Sequence, residues 1–298
     1  MSKPNIPDDL PRIPQRALDS HKGDYGNLLI IGGAKGMSGA AILAARAAFR
    51  AGVGKATVAV PAAAWLPVAS QLIEPTTVAL ADDDAPGRFS VRQLDALLEL
   101  ADGFDAVVFG CGLGRAVPTA ELVNAFIERC PKPMVLDADA LTQLDVKRLR
   151  RDRSRPLPAV PPVLTPHPGE MAALCGLSTS AIQADRPGTA SRFVRDNRCI
   201  LVLKGQKTAV ADSDRIAINE TGNPGMATGG SGDVLSGIIG ALLAAGQPGF
   251  AAARLGAWLH GRSGDIASES VGRTALIASD IVDGIAGATQ ELEKKYAV

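Results

Sequence analysis

The sequence predicts an α/β fold: a central, mostly parallel sheet covered by helices on both faces. Three observations predict it. Short runs that are apolar throughout recur along the chain, and longer alanine- and leucine-rich stretches lie between them. A half-solvated strand alternates apolar with polar residues, whereas a strand apolar at every position is buried on both sides and needs helices above and below it. Glycine clusters follow several of the apolar runs, where strands of such sheets end and ligands bind.

Taken in order, strands are predicted at 28–31, 57–60, 76–80, 106–109, 134–136 and 200–203. The intervening helices are predicted at 39–51, 91–100, 118–129 and 179–197. Segments 208–211 and 215–218, separated by Asp212-Ser213-Asp214, form a β-hairpin. From Val234 onward the pattern is mostly helical. The basic run 148–155 ends in prolines and is read as a solvated loop. There is no internal repeat, so the organisation is a short arm, 1–21, followed by one domain, 22–298.

Composition narrows the function. With 298 residues, 46% of them hydrophobic, the chain can build one large core. Lys+Arg and Asp+Glu both number 31, and this balance gives nucleic acid or an anionic membrane no electrostatic footing. The first residues carry prolines and no apolar segment, unlike a secretory signal. The longest weakly charged stretch, 234–246, falls short of the ~20 apolar residues that span a bilayer. Cys111, Cys130, Cys175 and Cys199 are scattered, so neither a disulfide framework nor a zinc site is expected. The expected setting is a reducing cytoplasm.

The most informative segment runs from Asn219 to Asp233 and leads into the helical pattern VLSGIIGALLAAG. Gly229, Gly230 and Gly232, with Ser231 between them, let the backbone turn tightly with its N–H groups exposed. A helix N-terminus has unpartnered N–H groups and the positive end of its dipole, so together they suit phosphate. Asp233, in the first turn, would be repelled by phosphate unless it has a task there. That task is to accept the proton of a hydroxyl attacking a phosphoryl group. The plain alternative is helix-dipole electrostatics.

Three other segments converge on strand ends. In Leu201-Val202-Leu203-Lys204-Gly205, Lys204 could reach phosphate oxygens and Gly205 lets a base or ribose approach, or Lys204 snorkels to solvent. In Thr165-Pro166-His167-Pro168-Gly169-Glu170, His167 could bond a polar substrate and Glu170 could hold Mg²⁺. The alternatives there are a structural loop histidine and helix-start electrostatics. Asp137 and Asp139 follow strand 134–136, to hold a metal or to cap a helix. Gly32 to Ala41 is a strand–loop–helix unit without the P-loop spacing, and Gly110 to Arg115 does not complete the dinucleotide fingerprint. No nucleophile elbow such as GxSxG occurs. Chemistry by positioning and charge stabilisation, as in phosphoryl transfer, fits this set.

From about Lys22 to its end, the sequence resembles the ADP-dependent NAD(P)H-hydrate dehydratases of the ribokinase-like superfamily. The resemblance rests on HKGDYGNLLIIGGAKGMSGAA, VVFGCGLGR, LDADAL, LTPHPGEMAAL, LVLKGQKT and GNPGMATGGSGDVLSGIIGALLAAG, with HGRSGD and ALIASDIV later. It implies a ribokinase-like three-layer α/β/α sandwich. It implies contacts to the adenine nucleotide from Lys204, Gly205, Gln206, Lys207, Thr208 and Gly232. It implies contacts to the hydrated dinucleotide from Ala40 or Ala41, Gly112 or Gly114, His167 and Asp233. The implied reaction phosphorylates the S epimer of NADHX or NADPHX at the expense of ADP, with Mg²⁺, and then eliminates phosphate. The resemblance further implies a homotetramer and a separate epimerase, since the arm is too short to hold one. Two rivals share some of these features. A ribokinase-like kinase for a vitamin precursor such as hydroxyethylthiazole would share the anion site and base, and a catalytically silent nucleotide-binding module would be expected to lack Asp233.

Overall fold

The computed structural model describes residues 6–83, 85–150 and 160–296. Nine strands form one sheet: β1 (Asn27–Ile31), β2 (Lys55–Pro61), β3 (Thr76–Leu80), β4 (Ala106–Phe109), β5 (Met134–Leu136), β6 (Val163–Leu164), β7 (Ile200–Leu203), β8 (Thr208–Ala211) and β9 (Ile216–Asn219). Their order is β3-β2-β1-β4-β5-β6-β7-β8-β9, parallel through β7 and antiparallel over the last two. The Asp212-Ser213-Asp214 turn does join a hairpin, closed by Asp212 Oδ1 accepting from the amides of Asp214 and Arg215, both at 3.0 Å.

The helices are α1 (Ser38–Arg50), α2 (Ala62–Ala69), α3 (Leu94–Asp102), α4 (Val117–Arg129), α5 (Asp139–Gln143), α6 (Pro168–Cys175), α7 (Thr179–Ala184), α8 (Arg186–Asp196), α9 (Ser231–Ala244), α10 (Gly249–Val271) and α11 (Ala278–Tyr296). Strand side chains alternate between two cores. Leu28, Ile30, Val108 and Val202 pack with residues of α1, α9, α10 and α11, whereas Leu29, Ile31, Val107 and Leu201 pack with residues of α3, α4, α6 and α8. The period-2 geometry of a strand makes one apolar run serve both layers, which is why the runs carry no polar alternation.

Three readings from sequence are corrected. The helix expected over 179–197 is two helices, because Asp185 caps α8 by accepting from the Gly188 amide at 2.8 Å and Pro187 has no N–H to continue α7. The strand β6 and the helix α2 were not expected; prolines flank the first, and Pro67 lies inside the second. Of the basic run 148–155, Arg148 pairs with Glu128 and Leu149 is buried, so its start is not a free loop, and 151–155 lie outside the described residues.

The described part of the arm is docked rather than free. Leu10 is in the core shared with α10 and α11, Arg254 donates to Asp9 O at 2.8 Å, and Lys295 donates to Ile6 O at 2.7 Å. No helix among the described residues is long and apolar enough to cross a membrane.

Candidate active site

The strand order reverses between β1 and β4, so the loops leaving their carboxyl ends splay apart and open a crevice. Cys111, Asp137, Thr165 and Lys204 follow β4, β5, β6 and β7, and α9 aims its N-terminus at the same place. The loop ahead of α9 is held from behind by α10. Asp265 accepts from the Gly222 amide at 2.9 Å and from Asn223 Nδ2 at 3.1 Å, and Asn219 donates to Ala257 O at 3.1 Å.

Gly230 caps α9 in the left-handed region at φ 87°, a conformation that disfavours any side chain. The first α-helical bond of α9 runs from the Val234 amide to Gly230 O at 3.2 Å. The amides of Gly232 and Asp233 therefore have no acceptor within the helix. Gly229 is exposed, with nothing within 4 Å of where a Cβ would stand. The turn thus presents the amides of Gly232 and Asp233 without a helix acceptor beside an exposed glycine, the chemistry of an anion site.

Asp233 is the third residue of α9 and half-buried. Its carboxylate, that of Asp137 and the Cys111 thiol lie within 4.8 Å of one another. Burial and then the Asp137 charge raise the Asp233 pKa to about 6, against a hydrogen bond from Cys111 and the Lys204 ammonium, which lower it. Cys111 is itself pushed well up by burial, so the thiol stays protonated and donates. An acid poised near 6 is ionised at neutral pH yet basic enough to take a proton.

Asp137 behaves oppositely. Burial raises its pKa, but the Lys204 charge and hydrogen bonds from Ser236, Lys204 and Thr165 outweigh it, for a net lowering. Lys204 Nζ donates to Oδ1 at 3.0 Å and Ser236 to Oδ2 at 2.7 Å. Lys204 also lies 3.9 Å from Glu170, whose own pKa is raised by burial. Ala138 adopts φ 48°, rare for a residue with a Cβ, and so directs its two neighbours apart. Asp137 turns to Lys204, whereas Asp139 accepts from the Gly114 amide and from Arg115 Nε, both at 2.9 Å.

The sequence-predicted residues fall into three groups. His167 and Glu170 cap α6 reciprocally: His167 Nδ1 accepts from the amides of Gly169 and Glu170 at 3.0 and 3.1 Å, and Glu170 Oε2 accepts from the His167 amide at 2.8 Å. With Nδ1 accepting, Nε2 of the half-exposed imidazole is the nitrogen that carries the proton, 3.5 Å from Glu170 Oε1. Lys204 sits under α9, 3.1 Å from where a Gly232 Cβ would be, while Gly205, Gln206 and Lys207 are exposed and Thr208 closes their turn by donating to Gly205 O at 2.9 Å. Gly112, at φ 73°, packs against Met37 and Ala40, and Gly114 follows in the same loop.

Ala41 is fully buried with its methyl against Gly33, whereas Ala40 faces Gly112. Asp137 accepts from Lys204 and Ser236, and it also stands in the cluster with Asp233 and Cys111, whose ligand atoms lie close enough together to hold a metal ion. Asp139 is committed to Gly114 and Arg115. Cys111, Ser236 and His260 were missed. His260 lies 3.2 Å from Ser231 Oγ, and burial lowers its pKa to about 4, so it is neutral beneath the anion basin. All three lie inside motifs that carry the family resemblance, Cys111 in VVFGCGLGR, Ser236 in GNPGMATGGSGDVLSGIIGALLAAG and His260 in HGRSGD, but the motifs do not show that their side chains meet at the site.

A family model described as NAD(P)H-hydrate dehydratase matches residues 28–286. The ADP-dependent (S)-NAD(P)H-hydrate dehydratase of Neisseria meningitidis is 42% identical over 271 residues, covering 89% of this chain and 86% of that protein. A bifunctional NAD(P)H-hydrate repair enzyme of Moorella thermoacetica is 43% identical over 288 residues, 95% of this chain and 53% of that one. The chain thus spans about half the length of such bifunctional relatives. The Bacillus subtilis ADP/ATP-dependent NAD(P)H-hydrate dehydratase, co-crystallised with ATP and Mg²⁺, superimposes with a TM-score of 0.78 at 28% identity, covering 95% of each chain. The fold alone extends to an Arabidopsis ribokinase, at a TM-score of 0.51 and 12% identity, covering 87% of this chain and 98% of that one.

Proposed function

The chain belongs to the NAD(P)H-hydrate dehydratase family, and on that premise we propose that it dehydrates the S epimer of NADHX and NADPHX with consumption of ADP. The observation that carries this reading is one juxtaposition: a carboxylate with a pKa of about 6, Asp233, one residue from an open basin of helix-terminal amides.

The chemistry follows from that pairing. Asp233 takes the proton of the ring hydroxyl as its oxygen attacks the terminal phosphorus of ADP. The phosphorus–oxygen bond to AMP breaks, and the amides of Gly229, Gly230 and Gly232 stabilise the charge on the transferring group. Hydroxide is a poor leaving group and phosphate a good one, so the ring nitrogen's lone pair then expels phosphate. Loss of a proton from the neighbouring ring carbon to the departing phosphate restores the dihydronicotinamide. The net products are NAD(P)H, AMP and phosphate, with the oxygen of the added water retained in the phosphate.

Lys204, Gly205, Gln206, Lys207 and Thr208 line the nucleotide side, and Ala40, Gly112, Gly114 and His167 line the dinucleotide side. Glu170 fits Mg²⁺ better than Asp137 does, since its Oε1 accepts no hydrogen bond and approaches only the His167 imidazole, at 3.5 Å. Bound there with phosphate oxygens, the ion would neutralise charge on the transferring phosphoryl group. We place the enzyme in the cytoplasm as a homotetramer, in keeping with its family.

The test is spectroscopic. The protein is incubated with NADHX, Mg²⁺ and either ADP or ATP, and the reduced-nicotinamide absorbance is followed. Its return supports the proposal. A phosphorylated product that accumulates without return of absorbance points to a kinase, and no nucleotide-dependent change refutes both.

A further inference from the structure

Beside the reacting centre lies a cleft of about 670 Å³, within the size range of small-molecule sites. Lys35, Arg88 and Arg115 line it, from the loops that follow β1, β3 and β4, together with Met37, Leu113 and Gly114. Among the described residues no carboxylate lines it. Asp139 reaches Arg115, whereas Lys35 and Arg88 have no ion-pair partner among the described residues. The walls are fixed by backbone bonds. The Lys35 amide donates to Gly87 O at 2.8 Å, which sets Lys35 beside the residue preceding Arg88. The amides of Gly33 and Ala34 donate to Cys111 O at 2.9 Å and Gly112 O at 2.8 Å, which ties the same wall to the segment whose thiol touches Asp233.

Three cations from three segments facing one cleft, two of them without an acid partner among the described residues, form a receptor for an anion. The anion is not the nucleotide's, whose phosphates have the basin at α9. A hydrated dinucleotide whose ring hydroxyl meets Asp233 carries its bridging diphosphate one ribose away, and NADPHX carries a further phosphate beyond that. We infer that the cleft grips the phosphates of the dinucleotide substrate through Lys35 and Arg88. This rests on the substrate reading above.

The experiment uses the full chain with Lys35→Ala, Arg88→Ala, the double variant and Arg88→Lys. Initial rates are measured with NADHX and NADPHX at saturating ADP and Mg²⁺. Each alanine variant is expected to raise the KM of the dinucleotide about tenfold, as for loss of a charged hydrogen bond, and to leave the KM of ADP in place. Arg88→Lys should recover part of the loss. A rise for both substrates assigns the cleft to the bridging diphosphate, and a rise for NADPHX alone assigns it to the ribose phosphate. Unchanged KM for both, in a protein that turns them over, overturns the inference. Fluorescence titration with NADPH, the reaction product, reads the cleft without turnover. Weaker NADPH binding by the variants upholds the cleft even where dehydration fails, and identical binding sinks it.

Discussion

Two charged regions lie side by side at the carboxyl end of the sheet, and they handle charge differently. The pit below α9 holds Asp137, Glu170 and Asp233 around one cation, Lys204. The cleft beyond the β4 loop holds three cations, and among the described residues only Arg115 has an acidic partner, Asp139. In the pit, burial leaves three carboxylates undersupplied with countercharge, and their proton affinities separate: Asp137 goes down while Glu170 and Asp233 go up. Lys35 and Arg88 are exposed, water screens the cleft, and its charge is available to a ligand. The pit prepares a base; the cleft gathers an anion.

The sharpest way to break this contrast is Asp233→Asn. Turnover should fall by about 10³-fold, within the range for loss of a general base. ADP binding, read by calorimetry, should persist, because the amides of Gly229 to Gly232 remain. Intact turnover would end the assignment. The same variant should be more stable at pH 7, by up to about 3 kcal/mol, because the native pKa of about 6 exceeds the ordinary 3.8 and ionisation therefore opposes folding above that window.

Lys204→Met attacks the pit from the other side. It leaves Asp137 and Glu170 without their shared cation in a buried place, an error that costs about 3–5 kcal/mol. The urea midpoint should fall accordingly. The deficit should shrink at pH 5, where the orphaned carboxyls take up protons. A midpoint equally low at both pH values would show that packing, not charge, accounts for the loss.

Acid sharpens the comparison further. Activity should decline as pH falls through about 6, since only ionised Asp233 accepts a proton. Two of the contributions to stability oppose each other. His260, with a native pKa of about 4 against 6.5, contributes stability present above pH 6.5 that is lost as pH falls toward 4. Asp233, raised to about 6, contributes in the reverse sense: stability grows as pH falls from 6 toward 4. Asp233→Asn removes the second term and should steepen acid destabilisation between pH 6.5 and 4 by about 2 kcal/mol, read by denaturation at fixed pH. Parallel curves for wild type and variant would count against one of the two shifts.

Much of this was visible in the chain before any coordinates. Apolar runs gave all the strands but β6, and the glycines before Val234 placed a helix start and put Asp233 in its first turn, where it stands. These are local features, set by neighbours a few residues away. The pit is assembled by contacts across the chain. Ser236 bonds Asp137 from 99 residues off and Lys204 reaches it across 67, and nothing short of the strand order brings them together. For the same reason the sequence offers Asp137 only as a metal ligand or a helix cap, while its hydrogen bonds from Lys204 and Ser236 emerge from the fold. Ala40 and Ala41 were equivalent by sequence, and only the rotation of α1 against Gly33 and Gly112 separates them.

His167→Ala has a smaller expected effect. The imidazole caps α6 through Nδ1, so its loss should cost about 1 kcal/mol, a few degrees in melting temperature. His167→Asn, which can still cap, should recover the stability. If the KM for NADHX stays high in that stable variant, the Nε2 group is assigned to substrate; if it returns to the wild-type value, the residue is a cap alone.

The smallest effect belongs to the cleft's own ion pair. The Arg115 side chain is 70% exposed where it meets Asp139, so Arg115→Ala should change stability by under about 1 kcal/mol. Asp139→Ala should cost more, though it deletes the same pair. The Asp139 side chain is only 11% exposed, and it also accepts from the Gly114 amide, which would lose its partner. If the two variants melt together, the pair itself holds the β4 loop and the cleft's electrostatics resemble the pit's. If only Asp139→Ala loses stability, the carboxylate serves the backbone, and Arg115 is left free to serve a ligand.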